Sequence, residues 1–175
     1  LCQGQKFIYP TILSGADYHH SETLLPEKYR QYSESYWEKK TFAPSSLIFY
    51  VGFDKKLKNI DHHNLFFDTD FTKHANEIYE DPKWPEEPLF YANFTSLTDP
   101  STAPAGCENG FFLIPLAPDL EDTPELREKY FDKIIKIFEL RTEQNVTDHN
   151  KLKESYWVNY FISTYYCYKW NEDGM

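Results

Sequence analysis

The alternation of apolar and polar positions predicts a series of short strands. Residues 45–53 are apolar on both of the faces that a strand presents, a pattern typical of a central strand. Other apolar runs, bounded by turn-forming residues, predict strands at residues 7–13, 63–67, 89–94 and 111–117. Because residues 63–67 follow soon after residues 45–53, we expect these two strands to pair as a hairpin.

Apolar positions three and four residues apart predict helices at residues 22–40, at 71–79 and from Thr123 onward. The last helix has the clearest start, because Thr123 can cap it, Pro124 suits its first position and Glu125 favours the positive end of its dipole. Its buried stripe is expected to contain Leu126, Tyr130, Ile134, Ile137 and Phe138. Residues 158–168 are predicted to form an aromatic helix or strand.

Together these elements predict an α+β fold with a mixed, largely antiparallel sheet covered by helices on one face. The length of 175 residues suits a single domain, residues 1–175. The other face of the sheet has too few helices to cover it. We therefore expect Ile48, Tyr50 and Phe66 to form a concave aromatic surface there, opposite the Thr123 helix.

Charge and composition narrow the range of partners. The formal net charge is −10, which disfavours nucleic acid as a partner and gives no overall attraction to anionic lipid. No apolar run approaches the length of about 20 residues that a membrane-spanning helix needs. The three cysteines are scattered, as expected of a reduced cytoplasmic protein. The aromatic content of 18% fits either an ordinary core or a lined apolar cavity.

The titratable residues give no catalytic or metal signature. His62 and His63 are adjacent, and neighbouring residues of a strand point to opposite faces, so the pair supplies at most one ligand to a site and no metal is predicted. The six glycines occur singly, so no loop can cradle a phosphate, and we identify no catalytic residue. Asp99 is expected to bond its own backbone ahead of Pro100.

Four motifs in a fixed order carry a family resemblance. They are Ser14-Gly-Ala-Asp-Tyr-His-His20, Thr41-Phe-Ala-Pro-Ser-Ser46, His62-His-Asn-Leu-Phe-Phe67 and Thr98-Asp-Pro-Ser-Thr-Ala-Pro-Ala-Gly106, the last continuing to Pro118. Together they resemble the bacterial-type phytoene desaturases, flavoenzymes that oxidise carotenoid precursors. The glycine-rich segments that hold the dinucleotide in that family have no counterpart here, so the resemblance implies an internal fragment that covers the substrate domain.

The resemblance implies FAD as the hydride acceptor of the intact enzyme and a phytoene-like polyene as its substrate. It places Ala16 and Asp17 near the flavin and at the rim of the aromatic surface. It places His19 and His20 beside the substrate channel, with Ile48, Tyr50 and Phe66 along it. For Asp17 a second interpretation stays open, in which it only caps the following helix.

The resemblance also implies a missing flavin domain, no FAD binding by this chain alone, and peripheral membrane contact of the intact cytoplasmic enzyme. The alternative is a stand-alone module that binds an apolar ligand, or a remnant without function.

Overall fold

The computed structural model describes residues 5–41 and 43–157 and contains a five-stranded sheet. The strands are β1 (Ser45–Phe53), β2 (His63–Phe66), β3 (Phe90–Asn93), β4 (Glu108–Leu116) and β5 (Asn150–Tyr156), and their order across the sheet is β2-β3-β4-β1-β5. The helices are α1 (Tyr18–Thr23), α2 (Glu34–Trp37), α3 (Phe71–Tyr79) and α4 (Pro124–Thr142). Every pairing between these strands is antiparallel, so the predicted α+β class is confirmed.

The helix α4 begins and ends where its sequence predicts. The side chain of Thr123 accepts a hydrogen bond from the Leu126 N–H at 3.2 Å, and Pro124 occupies the first helical position. The last turn ends at Glu143, which adopts a left-handed conformation. The buried stripe contains Tyr130, Ile134 and Phe138 as predicted, whereas Phe131 and Ile135 are buried in addition and Leu126 and Ile137 are only partly buried.

The core lies between α4 and one face of the sheet. Phe49 of β1 meets Phe131 of α4 with ring centres 5.1 Å apart, and Phe112 of β4 meets Phe138 at 5.6 Å. Gly110 of β4 also faces this core: a Cβ there would lie 3.0 Å from the rings of Phe53 and Phe112. Large side chains cannot replace this glycine, because close-packed aromatic rings leave it no room.

Phe66 corrects one of the sequence-based predictions. It lies in the core under α4, not on the opposite face with Ile48 and Tyr50. Its ring stacks on Phe90 at 4.4 Å and contacts Phe138 at 5.9 Å. The register explains the error, because Phe66 is directly opposite Phe90, and residues opposite each other in an antiparallel pair point to the same face.

Strand pairing also differs from the expected hairpin. β2 pairs with β3, and β1 pairs with β4 and β5. Both neighbours of β1 therefore come from much later in the chain. This pairing suits its apolar faces, because a strand with neighbours on both sides is buried more fully than one at an edge.

Residues 5–40 are less regular than predicted. Residues 7–13 form no strand and expose Ile8 and Leu13. The predicted helix at residues 22–40 is split into α1, a 3₁₀ turn at Glu27–Tyr29, and α2. Pro26 explains the break between α1 and this turn, because it lacks the backbone N–H that a helix needs and disfavours helical geometry in the residue before it. The prediction for residues 158–168 lies outside the described residues.

The prediction that helices cover one face of the sheet includes α3, but α3 borders Leu65 and Tyr91, which lie on the face opposite α4. It packs at one end of the sheet, where His74 Nε2 lies 3.0 Å from the Pro115 carbonyl and Nδ1 accepts the Leu89 N–H at 3.1 Å. This ring is therefore a neutral histidine that carries its proton on Nε2. Burial lowers the pKa of His74, although the bond to Pro115 works in the opposite direction.

Candidate substrate-binding surface

The sheet face opposite α4, which we call the open face, carries a row of rings that crosses all five strands. Consecutive ring centres are 5.3 to 6.1 Å apart, close enough for edge contacts or stacking. From β2 to β5 the row consists of His63, Tyr91, Phe111, Tyr50 and Tyr156.

Strand register builds this row. Tyr50 lies opposite Phe111, Ile48 lies opposite both Leu113 and Tyr156, and Tyr91 is opposite Leu113. These residues alternate along their strands with the core residues, so the sheet separates two apolar layers. Tyr50 is 48% exposed and Ile48 is 7% exposed, so the centre of the open face combines accessible and buried apolar positions.

One end of the open face is bordered by α3 and forms an apolar groove of about 290 Å³, which we call the α3 groove. Leu65 and Tyr91 contribute to it from the sheet, and Phe71, Ala75 and Ile78 contribute from α3. The groove exists because α3 lies beside the open face of the sheet and not against the core face that α4 covers.

The diagonally opposite corner forms a second groove of about 360 Å³, the loop groove. Tyr50, Gly52 and Leu152 contribute to it from the sheet. The loop at residues 98–107 closes its side with Thr102, Ala103, Pro104 and Cys107. Tyr91 in the α3 groove and Tyr50 in the loop groove both contact Phe111, so the two grooves are joined by one ring.

The loop that borders the second groove is held by local hydrogen bonds. Asp99 accepts the Ser101 hydroxyl at 2.7 Å and the Ser101 N–H at 3.0 Å, which confirms the predicted turn, and these two hydrogen bonds lower the pKa of Asp99. Asn109 donates from Nδ2 to the Thr102 carbonyl at 3.1 Å. The Asn109 Oδ1 accepts the Ser96 N–H at 3.0 Å. The loop at residues 98–107 is therefore held to the start of β4 by hydrogen bonds of Asn109.

Ala16, Asp17, His19 and His20 lie together around α1. Asp17 caps this helix by accepting the His20 N–H at 2.8 Å, so the cap is confirmed, and its place near the flavin stays a prediction. Asp17 is 5% exposed, and its Oδ2 has no hydrogen-bond partner among residues 5–41 and 43–157. His19 Nε2 lies 2.9 Å from a carboxylate oxygen of Glu34. The position of these residues at the rim of the open face remains a prediction.

Sequence reasoning found Ile48 and Tyr50 on this face but missed four of the five rings in the row, namely His63, Tyr91, Phe111 and Tyr156. Tyr91 and Phe111 lie on strands that the sequence predicts, at positions that alternate with core residues. Only the pairing of these strands showed which face of the sheet the two side chains occupy. Tyr156 lies on β5, which was not predicted at all. The only signal for β5 was the short alternation Lys151-Leu-Lys-Glu-Ser-Tyr156, which is too polar for a confident strand prediction.

No group of three or more metal-binding side chains comes together in the part of the chain that the structure describes. His62 and His63 each have other hydrogen-bond partners: His62 Nδ1 lies 2.7 Å from the Thr98 hydroxyl, and His63 Nδ1 lies 2.6 Å from the Tyr91 hydroxyl. None of the helices within residues 5–41 and 43–157 is both long and apolar enough to cross a membrane.

Comparison with known proteins assigns a class to this chain: it belongs to the carotenoid and phytoene desaturase family. It is similar to the carotenoid 3,4-desaturase of Haloarcula japonica, with 36% identity over 155 residues, which are 88% of this chain and 31% of that protein. The zeta-carotene-forming phytoene desaturase of Myxococcus xanthus is 31% identical over 106 residues, which are 57% of this chain and 20% of that protein.

A third relative is the 1-hydroxycarotenoid 3,4-desaturase of Flavobacterium sp. (strain P99-3), which is 37% identical over 76 residues, 43% of this chain and 16% of that protein. No family model matches the chain. The chain thus spans about a third or less of the length of these relatives.

Proposed function

We propose that this chain forms a wall of the substrate channel in an FAD-dependent carotenoid desaturase, an oxidoreductase that acts on a long apolar polyene. One observation carries the proposal: a continuous row of rings joins two apolar grooves on the face of the sheet that α4 leaves open. Flat aromatic rings suit a conjugated chain, because both can be buried against each other without unpaired polar groups.

In this proposal a separate flavin domain holds the FAD. Side chains cannot accept a hydride, so FAD supplies that chemistry when it is bound. Our candidates for residues near the flavin are the small Ala16 and Asp17, whose buried Oδ2 has no partner in the part of the chain that the structure describes. The chain lacks a binding element for the pyrophosphate of FAD, because its six glycines are scattered and form no glycine-rich loop. We therefore expect no FAD binding by residues 1–175 alone, a partial domain that would dock on a flavin domain.

The substrate side of the proposal concerns access from a lipid surface. Leu65, Phe67, Phe71 and Tyr79 surround the α3 groove and are each at least half exposed. Such a rim would let an apolar polyene pass from a membrane into the groove, with peripheral contact by a cytoplasmic enzyme. Since the net charge is −10, this contact would depend on apolar side chains and not on attraction to anionic lipid. His19 and His20 would lie at the other margin of the channel.

Polyene binding by the purified chain tests the proposal. Lycopene, delivered in mixed micelles, should quench the intrinsic fluorescence and acquire an induced circular dichroism signal. Replacing Tyr50 by Ala removes the central ring, and Phe111→Ala breaks the junction between the grooves. Each should weaken binding about tenfold or more, because burial of an aromatic side chain contributes about 1.5–3 kcal/mol.

The matched control is Tyr29→Ala, which removes a tyrosine that is 66% exposed and lies outside the open face. It should bind lycopene like the unmodified chain. Failure of the chain to take up lycopene, or an equal loss in Tyr29→Ala and Tyr50→Ala, would count against the proposed channel wall.

A stand-alone binding module is the second candidate, because this chain by itself lines both grooves. Reading the coding sequence on either side of the chain separates the two candidates. A G-x-G-x-x-G strand–turn–helix upstream in the same reading frame supports the desaturase. Unrelated genes on both sides support the module or a remnant.

A further inference from the structure

A polar cluster lies at the β2 end of the ring row. His63 Nδ1 is 2.6 Å from the Tyr91 hydroxyl and 3.1 Å from Nδ2 of Asn93. Asn93 is in turn fixed by the Thr95 hydroxyl, which donates to Asn93 Oδ1 at 2.9 Å. The ring of Tyr91 lines the α3 groove, and so does Leu65, which lies two residues from His63 on the same side of β2. A polar cluster thus stands beside a groove whose lining surface is mostly apolar.

These contacts determine which nitrogen of His63 carries the proton. The Asn93 amide nitrogen can only donate, so Nδ1 of His63 must accept. In the neutral ring the proton then resides on Nε2. Nε2 has no hydrogen-bond partner among the residues that the structure describes, and the His63 side chain is exposed on the open face. His63 therefore presents one oriented N–H donor next to the α3 groove.

We propose that the Nε2–H of His63 recognises an oxygen atom at the end of the polyene, so that this site prefers an oxygenated polyene over the pure hydrocarbon. Tyr91 and Asn93 act as positioning residues, because they hold the ring and its tautomer without contacting the ligand oxygen. The inference rests on the proposed polyene-binding function and adds to it the chemistry of the end group. A mostly apolar groove with an oriented donor at its end favours a ligand that has an acceptor at the matching end, since an unmatched polar group loses the hydrogen bond that it made to water.

The experiment compares the affinities of the 175-residue chain for lycopene and for a terminal alcohol of the same carbon chain. The alcohol should bind about fivefold to tenfold more tightly, the range that one net hydrogen bond supplies. His63→Leu should abolish this preference while leaving the affinity for lycopene nearly unchanged. His63→Gln should retain most of the preference, because the glutamine amide can place an N–H close to the position of Nε2.

Two further variants separate positioning from a general structural effect. Tyr91→Phe keeps the ring in the groove but loses the bond to Nδ1, so the preference for the alcohol should fall while lycopene still binds. Tyr79→Phe removes a hydroxyl from the same groove without touching the cluster, and its preference should match that of the unmodified chain.

Equal binding of the alcohol and lycopene by the unmodified chain overturns the inference and leaves the proposed function intact. The inference also fails if His63→Leu keeps the preference. Absence of binding for both ligands overturns the inference together with the proposed function.

Discussion

The ammonium group of Lys56 lies 3.0 Å from Oε1 of Glu108, a carboxylate whose side chain is only 2% exposed. The second oxygen of Glu108 accepts the Ser96 hydroxyl, and Lys56 also donates to the Cys107 carbonyl at 3.0 Å. This pair connects the turn after β1 to the start of β4, where the loop that borders the loop groove ends.

We expect Lys56→Met to lower the free energy of unfolding by about 1–3 kcal/mol, because it leaves a buried carboxylate without its cation. Urea denaturation measures the change. Lys83→Met is the matched control: its partner Asp81 is 2.8 Å away, but both side chains are largely exposed, so little change is expected. Equal effects of the two substitutions would show that the Glu108 carboxylate does not depend on Lys56.

The position of Phe66 can be tested against its neighbour Leu65, which lies on the open face and is 64% exposed. Phe66→Ala should cost about 3–5 kcal/mol, because it opens a cavity between Phe90 and Phe138. Leu65→Ala should have a far smaller effect on the urea midpoint. A result in which Phe66→Ala is the milder of the two would place Phe66 outside the core.

Glu139 on α4 binds the segment that precedes β5. Its Oε1 accepts the N–H groups of Val146 and Thr147 at 2.7 and 2.8 Å. Burial alone would raise the pKa of Glu139, but these hydrogen bonds outweigh it and hold the pKa below its ordinary value of 4.5.

Because the folded-state pKa is depressed, the contribution of Glu139 to stability is present above the unfolded pKa and is lost as the pH falls through the folded pKa. Glu139→Gln should therefore reduce stability at neutral pH and show a smaller further loss on acidification. Urea denaturation at neutral pH and below pH 4.5 provides the comparison. Parallel pH profiles for the two proteins would contradict this assignment.

The pKa of Tyr130 is shifted in the opposite direction from that of Glu139, and its effect on stability falls at alkaline pH. Its hydroxyl donates to the Pro85 carbonyl at 2.6 Å, and burial, with smaller contributions from Glu77 and Glu86, raises its pKa to about 12. The neutral form is thus favoured in the folded state. Stability from this group is fully present below the ordinary pKa of 10 and is lost as the pH rises towards 12.

Tyr130→Phe should lower stability at neutral pH by about 0.5–1.5 kcal/mol through the lost hydrogen bond. It should also flatten the decline of stability between pH 10 and 12. Guanidinium denaturation across this range tests both effects, and an unchanged alkaline decline in the variant would assign it to other groups.

The sequence by itself determined several local elements and the family. Thr123 and Pro124 mark the start of α4, the bounds of α3 were predicted correctly, and the apolar faces of residues 45–53 identified an interior strand. These features depend on neighbours within a few residues, such as a cap, a helical period or a strand alternation. The four ordered motifs indicated the desaturase family, which the comparison with its relatives confirmed.

Only the tertiary structure decided which strands pair and therefore which face each residue occupies. A shift in partner or register moves every side chain of a strand between faces, and this is why Phe66 was placed wrongly. The same reason explains the ring row, because Tyr91, Phe111, Tyr50 and Tyr156 come from four strands that are distant in sequence. β5 is a strand because β1 offers it a free edge, not because residues 150–156 have a strong strand pattern. The candidate site is thus a product of long-range pairing, which no local pattern in the sequence encodes.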